Sequence, residues 1–178
     1  MGKEMMEERW ADFDFSAFWK VSDYAKKTYE GNEFGAADIA QIEAALGYRL
    51  PEMYISFMKK QNGGMPLKDS FRTKTPTSWS ENGVAIEGFL NIGLTGSNAL
   101  LGDFGSRFWL EEWGYPDIGI AICDCPSAGH DMIFLDYKIH GTQDTPAVVH
   151  IDQEMGYKIT FLAKDFESFV RNLTEEEW

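Results

Sequence analysis

Ile42-Glu43-Ala44-Ala45-Leu46-Gly47-Tyr48-Arg49-Leu50-Pro51-Glu52-Met53-Tyr54-Ile55-Ser56-Phe57-Met58-Lys59-Lys60-Gln61-Asn62-Gly63-Gly64 is the stretch on which the fold turns. It reads as the end of one helix and the whole of a second. Upstream, Asp38 is a good N-cap, and Ile39, Ile42, Ala45 and Leu46 lie on one face. Gly47 suits the left-handed residue that closes a helix. Leu50-Pro51 then restarts the chain with Pro51 at the first helical position, where its missing N–H costs nothing. Met53, Tyr54, Phe57 and Met58 give the second helix its apolar face. Asn62-Gly63-Gly64 ends it abruptly, because both glycines accept positive φ.

Working outward, the N-terminal side is weaker. A short helix is predicted from Ser16, with Ser16 as cap and Trp19, Val21 and Tyr24 as a partial stripe. Gly31, Asn32 and Gly35 break it. Residues 1–15 carry no periodic pattern. On the other side, residues 65–95 read as strands and turns. Asn82-Gly83 is a hairpin signal, followed by Val84, Ile86, Phe89, Leu90 and Ile92. The polar run Thr75-Pro76-Thr77-Ser78 reads as loop. Residues 97–113 read as a helix interrupted at Gly102 and Gly105 and stopped by Gly114 and Pro116.

The second half is a strand series. Residues 118–125 alternate isoleucine with the small side chains of Gly119, Ala121, Cys123 and Cys125, a face that lets a neighbour approach closely. Residues 132–137 are apolar on both faces apart from Asp136, as in a central strand. Residues 147–151 form the third run, and 138–146 a polar loop. Residues 163–173 are predicted as an amphipathic closing helix through Phe166, Phe169, Val170 and Leu173. Glu175-Glu176-Glu177 follows, with its charge unfavourably placed at a helix C-terminus. There is no internal repeat and no linker. The expected organisation is an N-terminal extension over 1–35, one α+β domain over 36–173 with a central, largely antiparallel sheet flanked by helices, and an acidic tail over 174–178.

Composition narrows the function classes. The chain has 178 residues, 16 Lys plus Arg against 29 Asp plus Glu, and a net charge of −13. Its 13 Phe, 7 Tyr and 6 Trp supply a core that disordered chains lack. No run approaches the ~18 apolar residues of a membrane span. Phosphate-directed nucleic-acid binding, which depends on Lys and Arg, is disfavoured. Glu4, Glu7 and Glu8 oppose a secretory leader, and Met6 stands where a myristoylation signal needs Ser or Thr, so a cytoplasmic protein is expected. Cys123 and Cys125 are expected to be free, buried thiols.

The search for catalytic motifs returns little. There is no G-x-S-x-G, no phosphate loop, no G-x-G-x-x-G and no H-E-x-x-H. Cys123, Cys125 and His130 form C-x-C-x4-H, with His140 or His150 as a fourth zinc ligand. A C-x-C on a strand lacks the usual knuckle geometry, and buried thiols are the better reading. A Cys123 or Cys125 nucleophile paired with His130 or His150 is opposed by neighbouring Asp124. Asp124, Asp131, Asp136 and Asp152 could act as paired carboxylates, but a solvated face with turn-capping Asp is preferred. No cofactor is expected. The stronger candidate is a surface where aromatics stand beside carboxylates: Trp79 and Glu81 in a polar loop, and Trp109, Glu111, Glu112, Trp113 and Asp117 further on. Such a patch suits a protein interface, the rings giving buried area and the acids steering a basic partner. For Trp109 and Trp113, four residues apart on a helix, a core position is at least as well supported.

These residues also resemble a known family. Ile42-Glu43, Leu46-Gly47, Leu50-Pro51, Tyr54, Phe57 and Asn62-Gly63-Gly64 resemble the opening of the SUKH superfamily, which includes the fungal cell-wall-assembly regulator and many bacterial toxin-immunity proteins. Ile120-Ala121-Ile122, Gly129-His130-Asp131, Phe134-Leu135-Asp136, Val148-Val149-His150-Ile151-Asp152 and Ala163, Phe166, Phe169 and Leu173 are similar to its later strands and closing helix, in the same order. The resemblance implies an α+β fold without enzymatic activity. It implies a protein-binding domain, of the immunity type in bacteria, which neutralises a cognate toxin domain such as a basic nuclease. A general adaptor or small-ligand-binding module is the alternative, and a metal- or Cys-dependent hydrolase a weaker one.

Overall fold

The structure, a computed structural model, describes residues 8–175. In chain order its elements are α1 (Asp23–Thr28), α2 (Ala36–Leu46), α3 (Glu52–Lys60), β1 (Ser70–Arg72), β2 (Gly83–Ala85), β3 (Gly88–Phe89), α4 (Ser106–Glu111), β4 (Gly119–Asp124), β5 (Asp131–Asp136), β6 (Ala147–Asp152), β7 (Lys158–Ala163) and α5 (Phe166–Arg171). Strands β3 to β7 form one antiparallel sheet in sequence order, and β1 and β2 pair separately. This is the expected α+β architecture.

The deciding stretch folds nearly as read. Gly47 closes α2 at φ 80°, and Gly63 and Gly64 turn the chain after α3 at φ 91° and 155°. Two details shift. Gly35, not Asp38, is the N-cap of α2; Asp38 sits a turn inside, where its carboxylate accepts from the Gly35 N–H at 2.8 Å. Pro51 is the N-cap of α3 rather than its first helical residue. The corner between the helices is tied by Glu43, whose carboxylate accepts the Leu50 N–H at 2.7 Å.

Other expectations change more. The helix predicted from Ser16 begins at Asp23, because Ser22 caps it by accepting the Ala25 N–H. Asp14 instead caps a short 3-10 turn over Phe15–Ala17. Val21, 97% exposed, and Tyr24 therefore line no buried stripe, whereas Trp19 is buried. Asn82-Gly83 does not form a two-residue hairpin. Ten loop residues, 73–82, separate β1 from β2, with Thr73 N–H bonded to Asn82 O, and Gly83 opens the second strand. Of residues 97–113 only Ser106–Glu111 is helical, since Gly105 is an N-cap and the residues before it form turns. The sequence reading missed β7, and Ala163 ends this strand instead of opening the closing helix. Its last register steps out of alternation between Val148 and Val149, and its side chains mix buried and exposed, so no clean period marks it.

The core lies between the sheet and α3 and α5. Tyr54, Phe57, Met58, Phe89, Phe134 and Phe169 are among its buried side chains. Residues before α1 belong to it as well. Trp10, Phe13, Phe15, Phe18 and Trp19 all pack edge-on or tilted around Phe57, with centroids 5.0 to 5.7 Å from it. Such aromatic pairs add ~0.5–1.5 kcal/mol each beyond the area they bury.

Candidate functional site

The two most distinctive polar features of the chain prove to be braces. Asn62 is buried at the end of α3. Its amide donates to Asn32 O and Ile92 O at 2.8 and 3.0 Å, and its carbonyl accepts the Ile92 N–H at 2.8 Å. It stitches the segment before α2 to the segment after β3. A Cβ on Gly63 would stand 2.5 Å from Tyr29 O, so glycine is required for approach as well as for φ. Asp136, wholly buried at the end of β5, accepts the N–H groups of Lys138, Ile139 and His140, each at 2.9 Å, and contacts His140 Nδ1 at 3.1 Å. Burial pushes its carboxyl up, but these donors outweigh that and hold it below the usual carboxylate range.

The residues expected at an interface fall on two supports. Trp79 and Glu81 lie in the β1–β2 loop, with Trp79 38% exposed. That loop is pinned where Ser78 donates from N and Oγ to the Asp152 carboxylate at 2.8 and 2.7 Å and Lys158 Nζ donates to Pro76 O. The second support is α4 with the turn after it. Trp109 is only 7% exposed; its Nε1 donates to Phe104 O and its ring packs against Phe108, Trp113 and Tyr115. It belongs to the core, as its spacing allowed. Trp113 is half-buried, edge-on to His130 at 5.3 Å, and its carbonyl accepts the Tyr157 hydroxyl.

Glu111 and Glu112 are exposed on α4, and Glu111 meets Arg107 at 3.3 Å in a surface pair of small energetic weight. Asp117 is exposed but engaged, accepting the Tyr48 hydroxyl at 2.8 Å. A groove of about 400 Å³ between α2 and α4, lined by Leu46, Arg107, Leu110, Glu111 and Asp117, joins Glu111 to Asp117. Among the described residues no ion pair or ring contact links Trp79 or Glu81 to α4.

The four aspartates are not a solvated face. Asp131, Asp136 and Asp152 are almost fully buried. Asp124 is half-buried, accepts the Tyr29 hydroxyl at 2.9 Å and the Gly88 N–H at 3.1 Å, and is pushed by burial up to about 7. Asp131 and Asp152 are direct partners across β5 and β6. Asp131 Oδ2 lies 2.7 Å from His150 Nε2, and Cys125 is the third member of this group. Burial raises the Asp131 carboxyl, but bonds from His150, Ser127 and Cys125 bring it below its ordinary value. The zinc reading from sequence named Cys123, Cys125, His130, His140 and His150. Only Cys125 and His150 come together, and Asp131 joins them. His130 instead meets Glu154 and Gln153 at the surface, and His140 meets Asp136. Both thiols are free and buried, and burial pushes them up, so neither is poised as a nucleophile.

A five-stranded antiparallel meander backed by α3 and α5, with Leu50-Pro51 and Asn62-Gly63-Gly64 bracketing α3, defines a SUKH-type domain. The SUKH family described as SMI1-KNR4 cell-wall matches residues 36–170, and the chain belongs to it. That family includes toxin-immunity proteins and is generally non-enzymatic. No curated protein matches the chain.

Proposed function

We propose that this domain is an immunity-type binding protein that occupies and neutralises a basic toxin domain, without catalysis and in the cytoplasm. The observation carrying the reading is the excess of carboxylates in a SUKH domain, a net charge of −13 with Glu111 and Glu112 exposed beside half-buried Trp113. A nuclease needs a cationic surface to hold its substrate's phosphates. An acidic domain is drawn to that surface and covers it, and the field of like-signed carboxylates speeds the encounter. Trp113, and Trp79 on its separate loop, supply apolar anchor area, while Trp109 stays in the core.

The test is capture from the native host at low salt, followed by reconstitution with what is retained. One polypeptide with a basic C-terminal domain, released as salt rises and inhibited by the purified chain, supports the reading. The double variant Glu111→Lys with Glu112→Lys keeps its fold and binds at least tenfold more weakly. Several unrelated proteins retained, or none, would instead favour an adaptor or small-ligand role. For that second reading the structure offers a polar groove of about 430 Å³ lined by Glu30, Glu33, Asn91, Thr95 and Ser97.

A further inference from the structure

We propose that Cys125, Asp131 and His150 form a binding site for one divalent cation of the zinc class. The sulfur, a carboxylate oxygen and a ring nitrogen all lie within 4.8 Å of one another, and all three side chains are buried. Thiolate, imidazole and carboxylate are the ligand set that zinc takes, at bond lengths of ~2.0–2.3 Å. Closing three such ligands around an ion from this spacing takes side-chain movement of about an ångström. The fourth position goes to a water molecule.

The second observation concerns what lies behind the imidazole. His150 Nδ1 is buried and has no hydrogen-bond partner, and neither has Thr160 Oγ1. The two residues are direct partners across β6 and β7, so their side chains leave the same face of the sheet side by side. A histidine that binds metal through Nε2 carries its proton on Nδ1 and gives it to an oxygen behind the ring. Thr160 carries such an oxygen on the next strand; the two atoms do not hydrogen-bond in this structure, so loading requires the Thr160 hydroxyl to turn toward Nδ1. A His150 that merely hydrogen-bonds Asp131 through Nε2 leaves both buried polar atoms unexplained, and native proteins seldom do so.

The protons balance simply. Without the ion, the Cys125 thiol and the His150 Nε2–H both point to Asp131. On binding, the thiol proton leaves to solvent and the imidazole proton moves from Nε2 to Nδ1, so one proton is released per ion. The ion ties the β4–β5 turn to the middle of β6. Because the group is closed off, loading accompanies folding. This inference does not rest on the immunity reading.

The experiment refolds the full chain from urea with Co2+ or Zn2+, and without metal. Co2+ should bind one per chain, give a thiolate-to-cobalt charge-transfer band, and raise the unfolding midpoint. The band should vanish in Cys125→Ser, in which the hydroxyl replaces the thiol as donor to Asp131. Thr160→Val, which keeps all three ligands, should weaken Co2+ binding 10- to 100-fold, the usual effect of losing such a support. No band and no shift in midpoint with either metal would overturn the site. So would a band that survives Cys125→Ser, or Thr160→Val binding as tightly as the native chain.

Discussion

Replacing Asp136 tests whether the acid at the end of β5 is a brace. Its Oδ1 accepts Lys138 and Ile139, and its Oδ2 accepts His140 and faces the His140 ring. Asp136→Ala strands three backbone donors at once. Hydrogen bonds to a charged group are worth ~1.5–3 kcal/mol each when buried, but this turn is open to water that can partly replace the lost acceptor. The expected loss is about 3 kcal/mol. Asp136→Asn should lose less, ~1–2 kcal/mol: its carbonyl keeps Lys138 and Ile139, while its amide faces the His140 N–H and can donate only to the ring.

Urea unfolding at pH 7 reads both values as shifts in midpoint at constant slope. The pH dependence supplies an internal check. The folded carboxyl sits below its unfolded value of ~3.9, so its stabilisation is in place above about pH 4. It is lost as pH falls through the folded value. The gap between native and Asp136→Asn chains should therefore close below about pH 4. Equal losses for Asn and Ala, or an Ala variant within ~0.5 kcal/mol of native, would refute the brace.

Further outcomes follow from geometry. Gly63→Ala should destabilise by more than ~2 kcal/mol, because it combines positive φ with a 2.5 Å approach to Tyr29 O, whereas Gly96→Ala, at φ 110° with open space around it, should lose only ~1–2 kcal/mol; thermal melts separate the two. Trp10→Ala should remove ~3–5 kcal/mol, and deletion of residues 1–35 should leave a chain without a cooperative unfolding transition, although the family match begins at residue 36. Tyr29→Phe should cost ~1–2 kcal/mol by leaving the half-buried Asp124 carboxylate short of a donor, measurable by the same urea titration.

The parts of the fold that were legible in the sequence are those with local causes. A glycine in positive φ, a proline at a helix entrance and a double-glycine corner announce themselves within a few residues, and α2, α3 and the strands β4 to β6 appeared accordingly. What escaped was decided at a distance. Strand β7 carries a mixed pattern and is made a strand by pairing with β6. The segment before Ser106 has helical-looking content but is broken into turns bonded back to Asn91, Gly93 and Gly96. The same holds for the candidate sites. Trp109 was visible as either core or surface, and only its packing on Tyr115 decides. Asp131 reads in the sequence as a turn acid, yet its register opposite Asp152 and beside His150 is a property of two paired strands. Ser78 gave no signal at all, since its partner Asp152 lies 74 residues away.

The aromatic cluster before α1 has a consequence for how the molecule is made. Arg171, on the last helix, stacks over Trp10 and bonds Arg9 O and Asp12, while Arg9 reaches Glu167. The first described segment to leave a ribosome thus packs on α3 early but gains its remaining partners only when the last helix has emerged. Until then Trp10, Phe13 and Phe15 have only part of their cover, and the nascent chain presents an oily N-terminal face to chaperones. The same adjacency makes the fold a candidate for circular permutation. A short linker from beyond α5 to residue 8, with new ends cut in the exposed 138–146 loop, would let the two halves of that cluster be synthesised in succession.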